Sequence, residues 1–179
     1  MTKLRCLLLF GVVVFLSACG SAGPGGAGES SSACPESEVS FTVETTSMVP
    51  LYRVGQVVDM CVPAPDILIE VETLAVVESK ATPGLEPAFN VLSRVAATEG
   101  SVVRLRGGRL EVDGVVWARR GEVAPCFEPC GGSCLVEEAG CVVGEGEYFL
   151  LGDAEFGTTD SVLSGVFERS EIKLISSDG

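Results

Sequence analysis

Hydrophobic positions along this chain fall into short runs separated by glycine, proline and charge. Val39, Phe41 and Val43 alternate with Ser40 and Thr42, the period-two pattern of a strand with one buried face. Val57-Val58, Ile67 to Val71 and Leu74 to Val77 are β-branched runs bounded by turn residues, and each predicts a further strand. Arg104 to Val112 reads as a hairpin about Gly107-Gly108, a dipeptide that supplies the positive φ angles of a primed turn. Asp113-Gly114 repeats the device before Val115-Val116-Trp117, and Tyr148 to Leu151 and Ile172 to Ile175 complete the series. No stretch carries a long helical period and no internal repeat is visible. The pattern predicts a mainly β domain of many short strands.

The N-terminus follows a different pattern. Lys3 and Arg5 precede an apolar run from Leu7 to Leu16, and then comes Leu16-Ser17-Ala18-Cys19. A helix needs about 20 apolar residues to cross a bilayer core, so this run predicts a removable export signal over 1–18. Small residues before Cys19 form a lipobox, and the thiol of Cys19 is the expected site of lipid attachment. Residues 19–36, rich in Gly, Ser and Ala, predict a flexible coil. The Gly20–Ala33 part spans about 20 Å root-mean-square at roughly 5–6 Å times the square root of length. The domain proper is expected over 37–179. This places it in a bacterial cell envelope, lipid-anchored and facing the periplasm. Gly20 after the lipidated cysteine is not an acidic retention signal, so the outer membrane is favoured.

Composition narrows the partners. With the leader removed, Lys3 and Arg5 leave the 12 basic side chains while all 25 acidic ones stay, for a net charge of −15. Such a surface repels nucleic-acid phosphates and anionic headgroups. An apolar fraction of 46% is enough for a core and argues against disorder. No cofactor is expected.

Six cysteines remain once Cys6 and Cys19 are set aside: Cys34, Cys61, Cys126, Cys130, Cys134 and Cys141. An even set in an oxidising compartment reads as disulfides. Four crowd into a Pro/Gly-rich stretch, part of a small disulfide-rich cap over about 115–145 that cannot bury a core of its own. Zinc is the competing use of four close cysteines. The intervening spacings of three, three and six residues lack paired C-x-x-C knuckles, so no metal is expected. By elimination Cys34 pairs with Cys61, and connectivity within the cap stays open.

The chemistry-bearing segments come in a definite order. Thr45-Thr46-Ser47-Met48-Val49-Pro50 is followed by Gly55-Gln56, then Leu92-Ser93-Arg94-Val95 with Gly100, then Gly152-Asp153 and Thr158-Thr159-Asp160-Ser161. Over roughly Phe41 to Ile175 this succession resembles the signal peptidase I family, serine–lysine peptidases that remove leader sequences. The resemblance implies a signal-peptidase-like β-domain. It places Ser47 at the nucleophile position and Thr45 at that of a second oxyanion donor. Thr158 matches the hydroxyl that normally bonds the lysine, and Asp160 matches a supporting acid. Ser47 and Ser93 are expected to face each other on neighbouring elements.

The same resemblance exposes what has been lost. Ser93 stands where the family carries its general-base lysine, which works because burial lowers its pKa until it is neutral. A serine hydroxyl is no base near neutral pH, and relatives that use histidine offer no alternative because the chain has none. Ala154 replaces an Asn and Val162 an Arg, so the residues around the lysine have changed with it. Beyond the leader the only lysines are Lys80 and Lys173, and Lys80 is the one candidate for a substitute base.

Three functions are therefore open. One is a catalytically impaired signal-peptidase-like lipoprotein that binds an extended peptide or a partner envelope protein. Another is an active serine endopeptidase on leader-type peptides, with Ser47 as nucleophile and Lys80 as an atypical base. The third is a purely structural envelope protein. Losing the base costs a serine peptidase about 10⁴–10⁶ in rate, which favours the first.

Overall fold

The computed structural model describes residues 34, 38–80, 89–117, 135, 138–154 and 159–177, all within the unit Ser32–Gly179. The expectations for Cys19, Cys126, Cys130, Cys134 and Thr158 lie outside the described residues. Eleven strands make up nearly all the regular structure among them, in two antiparallel sheets, so the domain is mainly β. Among the described residues no helix is long and apolar enough to cross a membrane.

Strands β1 (Glu38–Thr42) and β2 (Val57–Cys61) form a hairpin, with Thr42 opposite Val57 and Glu38 opposite Cys61. Its connection runs over residues 43–56 and is closed at the base by Val43 N to Gln56 O and Gly55 N to Val43 O, each 2.8 Å. β3 (Leu74–Glu78) pairs with β4 (Asn90–Ala97), the longest strand. β4 turns through Gly100 into β5 (Val102–Arg106), β6 (Arg109–Val112) and β7 (Val115–Val116), a meander that with β8 (Cys141–Val142) makes the smaller sheet. Gly107 and Gly108 adopt φ of 56° and 77°, the primed geometry that the sequence predicted. β9 (Glu147–Leu151), the single helical turn α1 (Ser161–Ser164), β10 (Phe167–Glu168) and β11 (Ile172–Ser176) follow. The larger sheet has the order β1-β2-β11-β3-β4-β9-β10.

Strand alternation sorts the core by face. Ala75, Val77, Val91, Val95, Leu150, Ile172 and Ile175 pack on one side of the larger sheet with Ile69 and Phe167. Phe41, Met60, Leu74, Val76 and Leu92 pack on the other, joined by Met48 from the β1–β2 connection. A third cluster, with Ala96, Ala97, Val103, Phe149 and Leu151, fills the junction with the smaller sheet. Each fully buried Val, Leu, Ile, Phe or Met side chain contributes about 1.5–3 kcal/mol.

One expected strand is absent. Ile67 to Val71 forms no ladder. Ile69 is buried, but Leu68 is 73% exposed, and the segment ends in a turn at Glu72, whose φ is 78°. The run is apolar enough for a strand but finds no neighbouring edge, and without one its backbone groups cannot be paired in a sheet.

Cys34 and Cys61 form a disulfide, as the elimination argument required. Cys141 is also disulfide-bonded.

Candidate functional site

Ser47 rides on the β1–β2 connection and is wedged into the larger sheet where two strands part. β4 and β9 pair at Arg94↔Leu151 and Val95↔Leu150. Beyond Leu151 the chain leaves β4, and Ser47 enters the gap. Its Oγ donates to Leu92 O at 2.7 Å, and its own carbonyl accepts from Ala154 N at 2.8 Å. Met48, fully buried, anchors the connection from beneath. Ser47 itself is only 2% exposed.

Thr45 Oγ1 lies 2.8 Å from Ser47 Oγ. A hydroxyl has one hydrogen. Ser47 spends its hydrogen on Leu92 O, so Thr45 is the donor between the two. The relay therefore runs Thr45 to Ser47 to a backbone carbonyl. An amide oxygen accepts a hydrogen bond but does not take the proton, so this arrangement does not activate Ser47.

Ser93, next along β4, is fully buried, and its Oγ has no hydrogen-bond partner among the described residues. Alternation sets it on the face of Val91 and Val95, opposite Ala75 of β3. Ser47 is thus bonded to the backbone beside Ser93 and not to its side chain. A buried hydroxyl without a partner costs about 1–3 kcal/mol.

Lys80 is committed elsewhere. Its Nζ donates to Val166 O at 2.6 Å, lies 3.1 Å from Glu171 Oε2 and sits 4.5 Å over the Phe167 ring. These contacts all fall on the stretch from Val166 to Glu171 and engage the ammonium away from Ser47. The other lysine, Lys173, bonds Asn90 Oδ1 at 3.2 Å and pairs with Glu78.

The residues around the relay are held by two buried carboxylates. Arg94 forms a fork with Asp153, Nε to Oδ1 at 3.2 Å and Nη2 to Oδ2 at 2.8 Å, while Nη1 donates to Glu72 O at 2.9 Å. Burial alone would lower the Arg94 pKa, but the hydrogen bond and charge of Asp153, with Glu72, outweigh it and raise it above its ordinary value. Because the shift is upward, the guanidinium stays charged in the folded protein, and its contribution is lost only as pH rises through that raised value. Asp160 caps α1, its Oδ1 accepting from Val162 N at 3.0 Å and its Oδ2 from Gly152 N at 3.2 Å. Ser161 Oγ accepts from Leu150 N at 2.8 Å. Asp160 and Ser161 thus fix the exit of β9, the stretch from which Ala154 reaches Ser47. Ala154 and Val162 are both buried and apolar.

Thr45, Ser47 and the backbone beside Ser93 are thus brought together, and Asp160 supports them from the β9 side. The Arg94–Asp153–Glu72 cluster was not singled out from sequence for any role. Its signal was an arginine inside the run Val91 to Ala97, apolar apart from Ser93, which demands a buried acid. Among the described residues no group of His, Cys, Asp and Glu is arranged to hold a metal ion.

No protein-family model and no curated protein matches the chain. Among solved structures it is similar to a signal peptidase I from Enterococcus faecalis, at 19% identity and a TM-score of 0.39, covering 59% of this chain and 94% of that one.

Proposed function

We propose that this protein is an exported, lipid-anchored homologue of serine peptidases that no longer cleaves peptides and instead holds an extended polypeptide. The observation that carries the reading is the destination of the Ser47 proton. Its hydroxyl hydrogen goes to Leu92 O, the neighbouring position holds the hydroxyl of Ser93, and Lys80 is bound to Val166 O and Glu171. No described amine or imidazole is within hydrogen-bond reach of Ser47, and nucleophilic catalysis by serine needs such a base.

Binding without turnover is supported by the sheet itself. Among the described residues β1 pairs with β2 alone, and Glu38, Val39, Ser40 and Thr42 are exposed along it. An extended peptide adds to such an edge through main-chain hydrogen bonds that require no catalytic residue.

The test uses the purified full-length protein with a fluorogenic leader-type peptide of A-x-A sequence, comparing wild type, Ser47→Ala and Lys80→Ala. Binding by anisotropy with no turnover in any of the three is the expected outcome. Turnover abolished by both substitutions would establish a working Ser47–Lys80 pair and overturn the proposal.

A further inference from the structure

The smaller sheet turns one face to the core and one to solvent, and the two differ in kind. Val103, Leu105, Leu110, Val112 and Cys141 face inward and join the cluster at the junction of the sheets. Alternation and register set Arg104 and Arg106 of β5, Arg109 and Glu111 of β6, Val116 of β7 and Val142 of β8 on the outer face. That face carries three arginines to one carboxylate, in a chain with 12 basic and 25 acidic side chains. Its sign is opposite to that of the protein as a whole.

The arginines are placed without counter-ions. Arg106 and Arg109 are exposed and directly opposite each other across the hairpin, an arrangement that costs stability between like charges. Among the described residues neither side chain has an ion pair or a hydrogen bond. Arg104 Nε donates to Ala139 O at 3.2 Å, and its stem lies over Gly140, where a Cβ would collide with Arg104 Cγ. Gly140 has a φ of 76°, so glycine there both turns the chain and leaves room for the arginine to lie across the sheet. Arg104 and Arg106 are two residues apart on one strand, about 6.8 Å at roughly 3.4 Å per residue. Val116 and Val142, 42% and 66% exposed, flank the arginines from the two edges of the sheet.

We infer that this face docks an acidic segment of a partner protein, lying extended across the smaller sheet. Charge complementarity carries the inference: a positive face on an acidic chain attracts what the rest of the surface repels. A continuous anionic surface such as a bilayer meets the negative charge of the whole domain, whereas a short acidic segment meets the face alone. Acidic residues at every second position of an extended segment recur at about 6.8 Å, the spacing of Arg104 and Arg106. A guanidinium takes a carboxylate through two parallel hydrogen bonds. Val116 and Val142 add the apolar contact that interfaces place beside arginine. The inference uses neither Ser47 nor the β1 edge, so it stands apart from the binding of leader-type peptides.

The experiment measures anisotropy of a fluorescein-labelled peptide of alternating Glu and Val against the same peptide with Gln in place of Glu. The full-length protein is compared with the double variant Arg106→Gln, Arg109→Gln, which leaves Arg104 on Gly140 and whose unchanged circular dichroism and Tm establish that it folds. The glutamate peptide is expected to bind about tenfold more tightly than the glutamine peptide, and the double variant to bring the two within about threefold. Added salt should weaken the preference. The A-x-A leader-type peptide serves as a control whose binding the double substitution does not change. Equal binding of the two peptides, or a glutamate preference that survives the double substitution, overturns the inference and leaves the leader-peptide reading untouched. So does a preference for phosphatidylglycerol over phosphatidylcholine vesicles that the double variant loses while no glutamate preference is seen, which assigns the face to a membrane.

Discussion

Ser93 and Arg94 are consecutive residues on the same strand, both buried, and they have opposite fortunes. Arg94 brings a charge into the fold and has its donors met by Asp153 and Glu72. Ser93 brings only a hydroxyl, and among the described residues that hydroxyl has no hydrogen-bond partner. The neighbourhood of Arg94 is a structural clamp, tying β4 to the end of β9 and to the turn before β3. The neighbourhood of Ser93 is a position the fold tolerates but does not use. The contrast separates the part of the segment that builds the domain from the part that would do chemistry.

The largest effect should come from opening the clamp. Asp153→Ala leaves the Arg94 charge buried without its partner and is expected to cost about 3–5 kcal/mol, read from urea unfolding followed by tryptophan fluorescence. A loss under about 1 kcal/mol would mean that the pair behaves like a surface ion pair, and the comparison would collapse.

Next comes the relay. Ser47→Ala removes the donor to Leu92 O and the acceptor from Thr45, and should cost about 1–2 kcal/mol in the same experiment. A neutral result would show that the two bonds do not hold the connection in place.

Ser93→Ala should move the other way. Deleting a buried, unpartnered hydroxyl is expected to stabilise the domain by about 1 kcal/mol, visible as a rise in Tm. Destabilisation would reveal that the hydroxyl has a partner in solution, and the contrast with Arg94 would narrow.

The smallest effect should be on activity. Ser93→Lys is expected to give no turnover above wild type on a leader-type peptide, because position 93 lies on the strand face of Val91 and Val95, in an apolar cluster that offers an amine no polar support. Robust cleavage by this variant would show that the lysine alone had been missing.

The sheet was largely legible because its signal is local. Val39, Phe41 and Val43 announce their alternation directly, and Gly107-Gly108 can hardly be read as anything but a tight turn. Ile67 to Val71 misled because apolar character reports burial and not the presence of a neighbouring edge. The site was legible only as positions. The resemblance led to the expectation that Ser47 and Ser93 would face each other, whereas Ser47 bonds the backbone carbonyl of Leu92. Its choice of a backbone carbonyl over a side chain depends on how β9 parts from β4, which no window of sequence contains. The fork between Arg94 and Asp153 spans 59 residues, so the run around Arg94 announces a buried acid without saying which one. The disulfide was within reach because elimination among a few cysteines does not need geometry.

That disulfide has a mechanical consequence. β1 is the outermost strand and the first to be reached from the N-terminus, so a pull on the preceding segment would ordinarily peel it away one hydrogen bond at a time. Cys34 lies ahead of β1 and is welded to Cys61 at the far end of β2, where Ile175 of β11 is the opposite neighbour. Tension arriving along the chain at Cys34 is therefore shunted past β1 into the interior of the sheet. There the load is shared by two flanking strands and resisted in shear. A domain strung from its N-terminal side in this way can be tugged without exposing its edge.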